Sequence, residues 1–424
     1  MDLGDPVLNS LVGATVFFDA GRIYLVGRNL EVVWSAEQPP RDLQNFVEED
    51  DYKLMRQDAI SEVRYEATHV AFTFGVKLLK LSLRYYPTIW NLTGNQGTSL
   101  FKRAALFYAI DSLLTRTVFV PVAFVDALIN KKLQDPFSIF VDSILRNVVN
   151  AAMSAVGAMG IIYITDTFGT AMFVVVTVAS NVFGLLLGAL RIKIRKQLLE
   201  PLRTDSLGDK VKNLAKHVHF PEKDIYIDHK RRSPLEVKYE NYLGVKMITI
   251  NQSLLTVLTP EQTVSLVAHE LGNWYNHQPI FEQAFSILHS SFMCFVCVKS
   301  LGNDWITEHF GFPEKAHTFV SLYLSVYYFW PLINAVLDGF NSISRRRSVF
   351  MADEYANAEG HGSNLRTTIL TLAGQRRCYP IFDHWYSGWV YGYPTVFERI
   401  ARLDPKKRVS FGNNIYHLPK SPPL

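Results

Sequence analysis

Residues 168–196 read FGTAMFVVVTVASNVFGLLLGALRIKIRK, and the first twenty-three of them, 168–190, carry no charge. As a helix, that run is long enough to cross a hydrocarbon core about 30 Å thick. The basic cluster 191–196 follows at once, the pattern of a cytosolic flank. Just upstream, 148–165 is a second apolar run, rich in Ala and Gly, which let helices approach closely in lipid. Residues 284–301 and 318–336 give two more. Three weaker runs carry ionisable groups: 99–129 with Asp111 and Arg116, 67–90 with Lys77, Lys80 and Arg84, and 8–34 with Asp19, Arg22 and Arg28. Charges are tolerated in a span where they face a bundle interior or a water-filled cavity; otherwise such runs are soluble amphipathic helices. Four spans are expected, rising to seven if all three cross.

Composition points the same way. Of 424 residues, 48% are hydrophobic and 19% charged, against about 25% charged in soluble proteins. A disordered chain is not this apolar. Three cysteines (Cys294, Cys297 and Cys378) cannot staple so long a chain. A net charge of +4 gives no basis for a nucleic-acid partner; membrane lipids are the partner expected. The acidic start MDLGDPVLN lacks the basic region of a cleavable signal peptide.

The block 191–278 is polar and reads as soluble structure. Residues 202–219 have helical spacing, and a small β element is expected between Lys223 and Asn251, where VKMITIN (245–251) alternates as a strand does. Residues 260–277, PEQTVSLVAHELGNWYNH, read as a helix, with Thr259 as cap and Pro260 at its first position. The organisation expected is an N-terminal membrane region (1–190, up to five spans), a soluble part (191–280), two further spans (281–340) and a C-terminal soluble region (341–424).

The 260–277 helix carries His269-Glu270-Leu271-Gly272-Asn273. Zinc peptidases use His-Glu-x-x-His, because residues four apart on one helix face converge two imidazoles on one ion while the Glu acts as base on its bound water. Here Asn273 stands where the second His belongs. The string VAHELGNW, two following apolar runs, then Ser344-Arg345-Arg346 and Ala352-Asp353, resemble the type I CAAX prenyl protease family. HFPEKDIYI (219–227) and WYSGWVYGYPTVFERIARL (385–403) extend the likeness, which is strong from about residue 191 onward.

The resemblance implies a mostly α, polytopic membrane helical barrel of up to seven spans with a zincin-like soluble part, located in the endoplasmic reticulum or nuclear envelope. It implies zinc as cofactor and prenylated or extended peptides as partners. It places His269 at the first metal-ligand position and Glu270 at the general-base position. Asn273 and Val349 occupy the other two ligand positions, the second normally a Glu in Glu-x-x-x-Asp. Asp353 stands where a carboxylate supports a ligand histidine. Tyr393 replaces a His that faces the reaction centre. Asn241, in YENYLG, corresponds to a strand-edge Asn that binds extended substrate, although its compressed spacing also reads as a turn.

No neighbour makes up the missing ligands. His277 lies about 80° round and 12 Å along the helix from His269. Glu354 lies about 140° round from Val349, and a neutral amide is a poor zinc ligand. Three readings stay open: a divergent member that has lost hydrolysis, an active zinc endopeptidase of CAAX processing, and a non-enzymatic or transport-associated membrane protein. On the first, Glu270→Gln is expected to change stability and binding little. Cys294 and Cys297 read as core cysteines, with a redox pair as the alternative. Asn91-Leu92-Thr93 fits a glycosylation sequon.

Overall fold

The computed structural model describes residues 5–94, 99–122, 124, 136–229, 235–301, 303–313, 315–377 and 379–403. Cys378 lies outside them. In chain order the elements are α1 (Pro6–Ser35), α2 (Glu49–Ser82), α3 (Tyr85–Leu92), α4 (Leu100–Val118), α5 (Pro136–Phe168), α6 (Ala171–Leu198), β1 (Glu200–Pro201) and α7 (Ser206–His217). Then come β2 (Ile225–Asp228), β3 (Val237–Tyr242), β4 (Val245–Asn251), α8 (Pro260–Tyr275), α9 (Gln278–Ser300) and α10 (Trp305–His309). The last are α11 (Thr318–Leu324), α12 (Trp330–Ala358), α13 (Gly362–Gln375), α14 (His384–Tyr386) and α15 (Val396–Arg402).

The fold is mostly α, as the sequence predicts. Among the described residues six helical stretches are long and apolar enough to cross a membrane: Pro6–Ser35, Leu100–Val122, Phe140–Phe168, Ala171–Leu198, Gln278–Ser300 and Thr318–Ala358. The 67–90 run is not among these six. It falls on α2, which opens on Glu49, Asp50 and Asp51, and the chain breaks at Arg84, where φ is 49°. On α6 the side chains of Val174, Val175, Val178, Phe183, Leu186 and Leu187 lie on the outside. That is the exterior a helix needs when its solvent is hydrocarbon.

The chain forms two compact units, each assembled from separated segments. The first comprises residues 1–31, 58–179 and 288–338. Its core is aromatic, with Tyr86, Trp90, Phe107 and Tyr328 almost wholly enclosed. Buried in it, Lys80 Nζ donates to Asp111 at 2.7 Å and to Thr115 at 2.6 Å, and Tyr323 donates its hydroxyl to Asp111. The same ammonium lies 4.7, 5.4 and 5.2 Å from the ring centres of Tyr85, Tyr86 and Tyr327. Asp111 is thus inside, as its place in an apolar run implies. Arg116 is not: it is exposed and donates to Ser112 one turn back. Thr93 of the sequon is buried, and its hydroxyl donates to the Trp90 carbonyl.

The second unit comprises residues 32–57, 180–287 and 339–424. It holds a four-stranded sheet of order β1-β2-β4-β3. β2 runs parallel to β4, and β3 antiparallel to it with Tyr239 opposite Ile248 and Tyr242 opposite Val245. Leu243 (φ 50°) and Gly244 (φ 78°) form the two-residue turn between β3 and β4. Two left-handed residues in succession match the natural strand twist, and Gly takes that conformation without strain. β3 is therefore an edge strand; β2, β3 and β4 fall within 223–251 as expected, and β1 (Glu200–Pro201) adds a short strand that the sequence reading did not foresee.

Candidate functional site

α8 carries the site, and its start is built from sequence. Thr259 accepts from the Gln262 N–H at 3.2 Å, and Gln262 accepts from the Thr259 N–H at 2.9 Å. This reciprocal box satisfies two of the donors a helix start leaves open. Val264, Val267, Ala268 and Leu271 are buried along one face, the spacing of a helix seated on a core. At Gly272 the helix meets the backbone of α12: a Cβ there would stand 2.9 Å from the Ala352 Cα. Only glycine permits that approach, and it brings His269, one turn earlier, against Asp353, one residue beyond Ala352.

His269 Nδ1 lies 2.9 Å from Asp353 Oδ1. The two atoms are in close contact without the alignment of a hydrogen bond. Arg399, on α15, grips the same carboxylate with Nε to Oδ2 at 2.8 Å and a terminal nitrogen to Oδ1 at 2.7 Å. Burial works against the Arg399 charge, but the Asp353 carboxylate outweighs it and raises the guanidinium above its ordinary value. With Nδ1 turned to the carboxylate, Nε2 is the nitrogen of His269 left to face the site.

Glu270 Oε2 accepts from the Tyr239 backbone N–H at 2.9 Å and from Asn273 Nδ2 at 3.2 Å. Burial pushes its carboxyl above the ordinary value, partly offset by His269 and these two donors. Glu270 ties α8 to β3 through the Tyr239 N–H on the strand's edge. Asn273, at the second ligand position, spends its amide nitrogen on Glu270. Val349 lies one turn before Asp353 on α12, so both share a face. Glu354 is exposed and pairs with Arg402 at 3.2 Å, as its angle on the helix predicts. His277 lies past the end of α8, at φ 53°.

Asn241 is on β3 rather than in a turn, and so its reading as a turn residue is corrected. Its carbonyl accepts from Gln283 Nε2 at 2.6 Å, and its side-chain oxygen is buried without a hydrogen bond. A cavity of about 390 Å³ lies along this edge, lined by Tyr239, Asn241, Gln283 and Ser180 among others. Tyr393 is exposed; its ring centre lies 5.1 Å from the Arg345 guanidinium. The Tyr393 carbonyl accepts from Arg346 and Ser387, each at 2.9 Å.

The family site calls for a zinc ion, and the donor set does not fit one. One imidazole nitrogen, an amide committed to Glu270 and a hydrocarbon side chain stand where three strong donors are needed. Among the described residues no three His, Cys, Asp or Glu side chains converge on a common point. Sequence reasoning missed Arg399, Tyr239 and Glu398. Arg399 and Glu398 sit in the quoted FERIAR run, but nothing local says that Arg399 meets Asp353, 46 residues away.

Comparison with known proteins agrees with this architecture. Residues 29–191 match the family model for the CAAX prenyl protease N-terminal region of five membrane helices, and residues 201–407 match peptidase family M48. A probable CAAX prenyl protease 1 of Schizosaccharomyces pombe is 23% identical over 87% of this chain and 82% of its own length. A CAAX prenyl protease 1 homologue of Caenorhabditis elegans is 22% identical over 90% and 93%. The crystal structure of S. mikatae Ste24p superposes with a TM-score of 0.65 over 94% of this chain and 99% of that one, at 18% identity.

Proposed function

Because this chain belongs to the CAAX prenyl protease family of membrane peptidases, we propose that it is a member that has lost hydrolysis. In this reading it still binds prenylated or extended C-terminal peptides, in the endoplasmic reticulum or nuclear envelope. One observation carries it. The second ligand position is an amide that donates to Glu270 at 3.2 Å, and the third is a valine. No hydrolytic step is derived through a metal, since the residues present do not suit one.

What the chain's own residues do is hold and present. Arg399 and Asp353 orient His269. Tyr239 and Asn273 hold Glu270. β3 is the edge strand of the sheet, and an extended chain would add along it by displacing Glu270 and Gln283 from the Tyr239 N–H and the Asn241 carbonyl.

Zinc per chain, measured on detergent-purified protein beside a farnesylated-peptide cleavage assay, tests the reading. Zinc far below one per chain and no turnover are expected. Near-stoichiometric zinc with turnover abolished by a chelator overturns it. Asn273→His with Val349→Glu should raise zinc affinity by more than the two single changes combined, because ligands act as a set.

A further inference from the structure

The sequence holds two Asn-x-Ser/Thr triplets, Asn91-Leu92-Thr93 and Asn251-Gln252-Ser253. Such a triplet accepts an N-linked glycan only where it reaches the surface on the lumenal side of a membrane. The structure separates the two. Asn91 is exposed in the last turn of α3. Asn251 is 3% exposed, ends β4 and accepts from the Ser253 N–H at 2.7 Å.

The crossings of the chain separate them again. The basic cluster 191–196 marks the cytosolic side. Counted back from it among the described residues, α6, α5 and α4 supply three candidate spans before Asn91 is reached. Residues 123–135 are too few to add a fourth, since thirteen residues make about 20 Å of helix. An odd number of crossings puts Asn91 on the lumenal side. Loop charges agree: Lys131 and Lys132 fall on the cytosolic connection, while the turn between α5 and α6, Gly169-Thr170, carries none.

A count in the other direction gives the same side. No candidate span lies between α6 and α9 among the described residues, so Asn251 stays with the basic cluster, and α9 then crosses once. The connection 301–317 is therefore lumenal. Trp90, next to Asn91, has its ring centre 6.1 Å from that of Phe312 in this connection, and Tyr86 lies 6.1 Å from Phe310. The two counts meet at these ring contacts.

We propose that Asn91 is an N-glycosylation site on the lumenal face. Its Nδ2 bonds to the anomeric carbon of an oligosaccharide carried on a lipid diphosphate. The bond from that carbon to the diphosphate oxygen breaks, the lipid diphosphate leaves with the electron pair, and the amide gives one proton to solvent. Lys102 and Arg103 delay the charge-free part of α4 to Ala104. That is thirteen residues beyond Asn91, up to about 40 Å of extended chain, enough to clear the headgroup layer. In the folded protein Thr93 is buried and its hydroxyl donates to the Trp90 carbonyl at 2.7 Å, so the triplet is read during synthesis, before α3 packs. The inference shares with the proposed function only the placement in the endoplasmic reticulum.

The test uses the full chain expressed in a eukaryotic host, its membranes treated with peptide-N-glycosidase. One downward mobility shift is expected, with peptide mass spectrometry finding Asn91 converted to Asp and Asn251 unchanged. Asn91→Gln should abolish the shift and leave thermal unfolding in detergent unchanged, because the side chain is exposed. Thr93→Ser keeps both the triplet and the hydroxyl and should keep the shift. An unmodified Asn91 in the wild-type chain overturns the inference, and so does a glycan on Asn251, which would invert the orientation. Removal of the Asn91 glycan by endoglycosidase H, which takes mannose-rich chains, supports both the site and residence in the endoplasmic reticulum. Resistance of that glycan upholds the site and overturns only the residence.

Discussion

Asp111 in the first unit and Asp353 in the second are each 1% exposed, and each has a cation against it. Their partners make them different devices. Asp111 is consumed by its surroundings: Lys80, Thr115 and Tyr323 take its oxygens, and three tyrosine rings enclose the ammonium. It is a pin between helices. Asp353 is neutralised by Arg399 through both oxygens and still has Oδ1 against His269. It is a pedestal, able to hold an imidazole without needing that imidazole's charge. In the proposed reading Asp353 keeps the place of a metal site's support while an amide, Asn273, and a valine, Val349, stand at the proposed ligand positions.

The largest effect expected from breaking this comparison is the loss of either acid. Asp111→Ala and Asp353→Ala each strand a buried cation, at a cost of about 3–5 kcal/mol, read as a drop in thermal or denaturant midpoint in detergent. Paired apolar replacement sharpens the contrast. Lys80→Met with Asp111→Leu, and Arg399→Met with Asp353→Leu, should each restore most of the stability. Only the second should free His269, read as faster modification of that imidazole by diethylpyrocarbonate. Equal His269 reactivity in both double variants would end the distinction.

Glu270→Ala comes next. It leaves the Tyr239 N–H without its acceptor, costing about 1–3 kcal/mol. Glu270→Gln keeps an acceptor oxygen and should cost less, and equal losses in the two would show that the strand contact contributes nothing. Thr259→Ala removes the cap of the helix that carries His269 and should cost about 1 kcal/mol, visible as faster amide exchange over the first turn of α8.

The smallest effect is one of pH. Burial pushes the Glu398 carboxyl up, but Arg346 and the Thr395 N–H outweigh it and hold it below its ordinary value. A depressed acid stabilises the fold above its unfolded-state value, and that contribution fades as pH falls through the depressed one. Melting curves taken downward from about pH 6 should therefore converge between wild type and Glu398→Gln. Parallel curves would leave the Arg346–Glu398 brace without a role.

Local chemistry was legible in the sequence. The apolar runs of α1, α4, α5, α6, α9 and α11–α12, the Thr259 cap and the strands within 223–251 follow from composition, period and spacing, whereas the roles of His269, Asn273 and Val349 came only from the family resemblance. The former depend on a residue's immediate neighbours and on how much apolar surface a helix must hide from water.

What tertiary structure alone decided are the pairings across distance. Tyr239 and Glu270 are 31 residues apart, and Asp353 and Arg399 are 46. Whether Asn241 sat in a turn or on an edge depended on which strand β4 chose. Arg346 and Glu398 are 52 residues apart. Such outcomes turn on the close approach of α8 to α12 at Gly272, a packing event that no stretch of sequence encodes by itself.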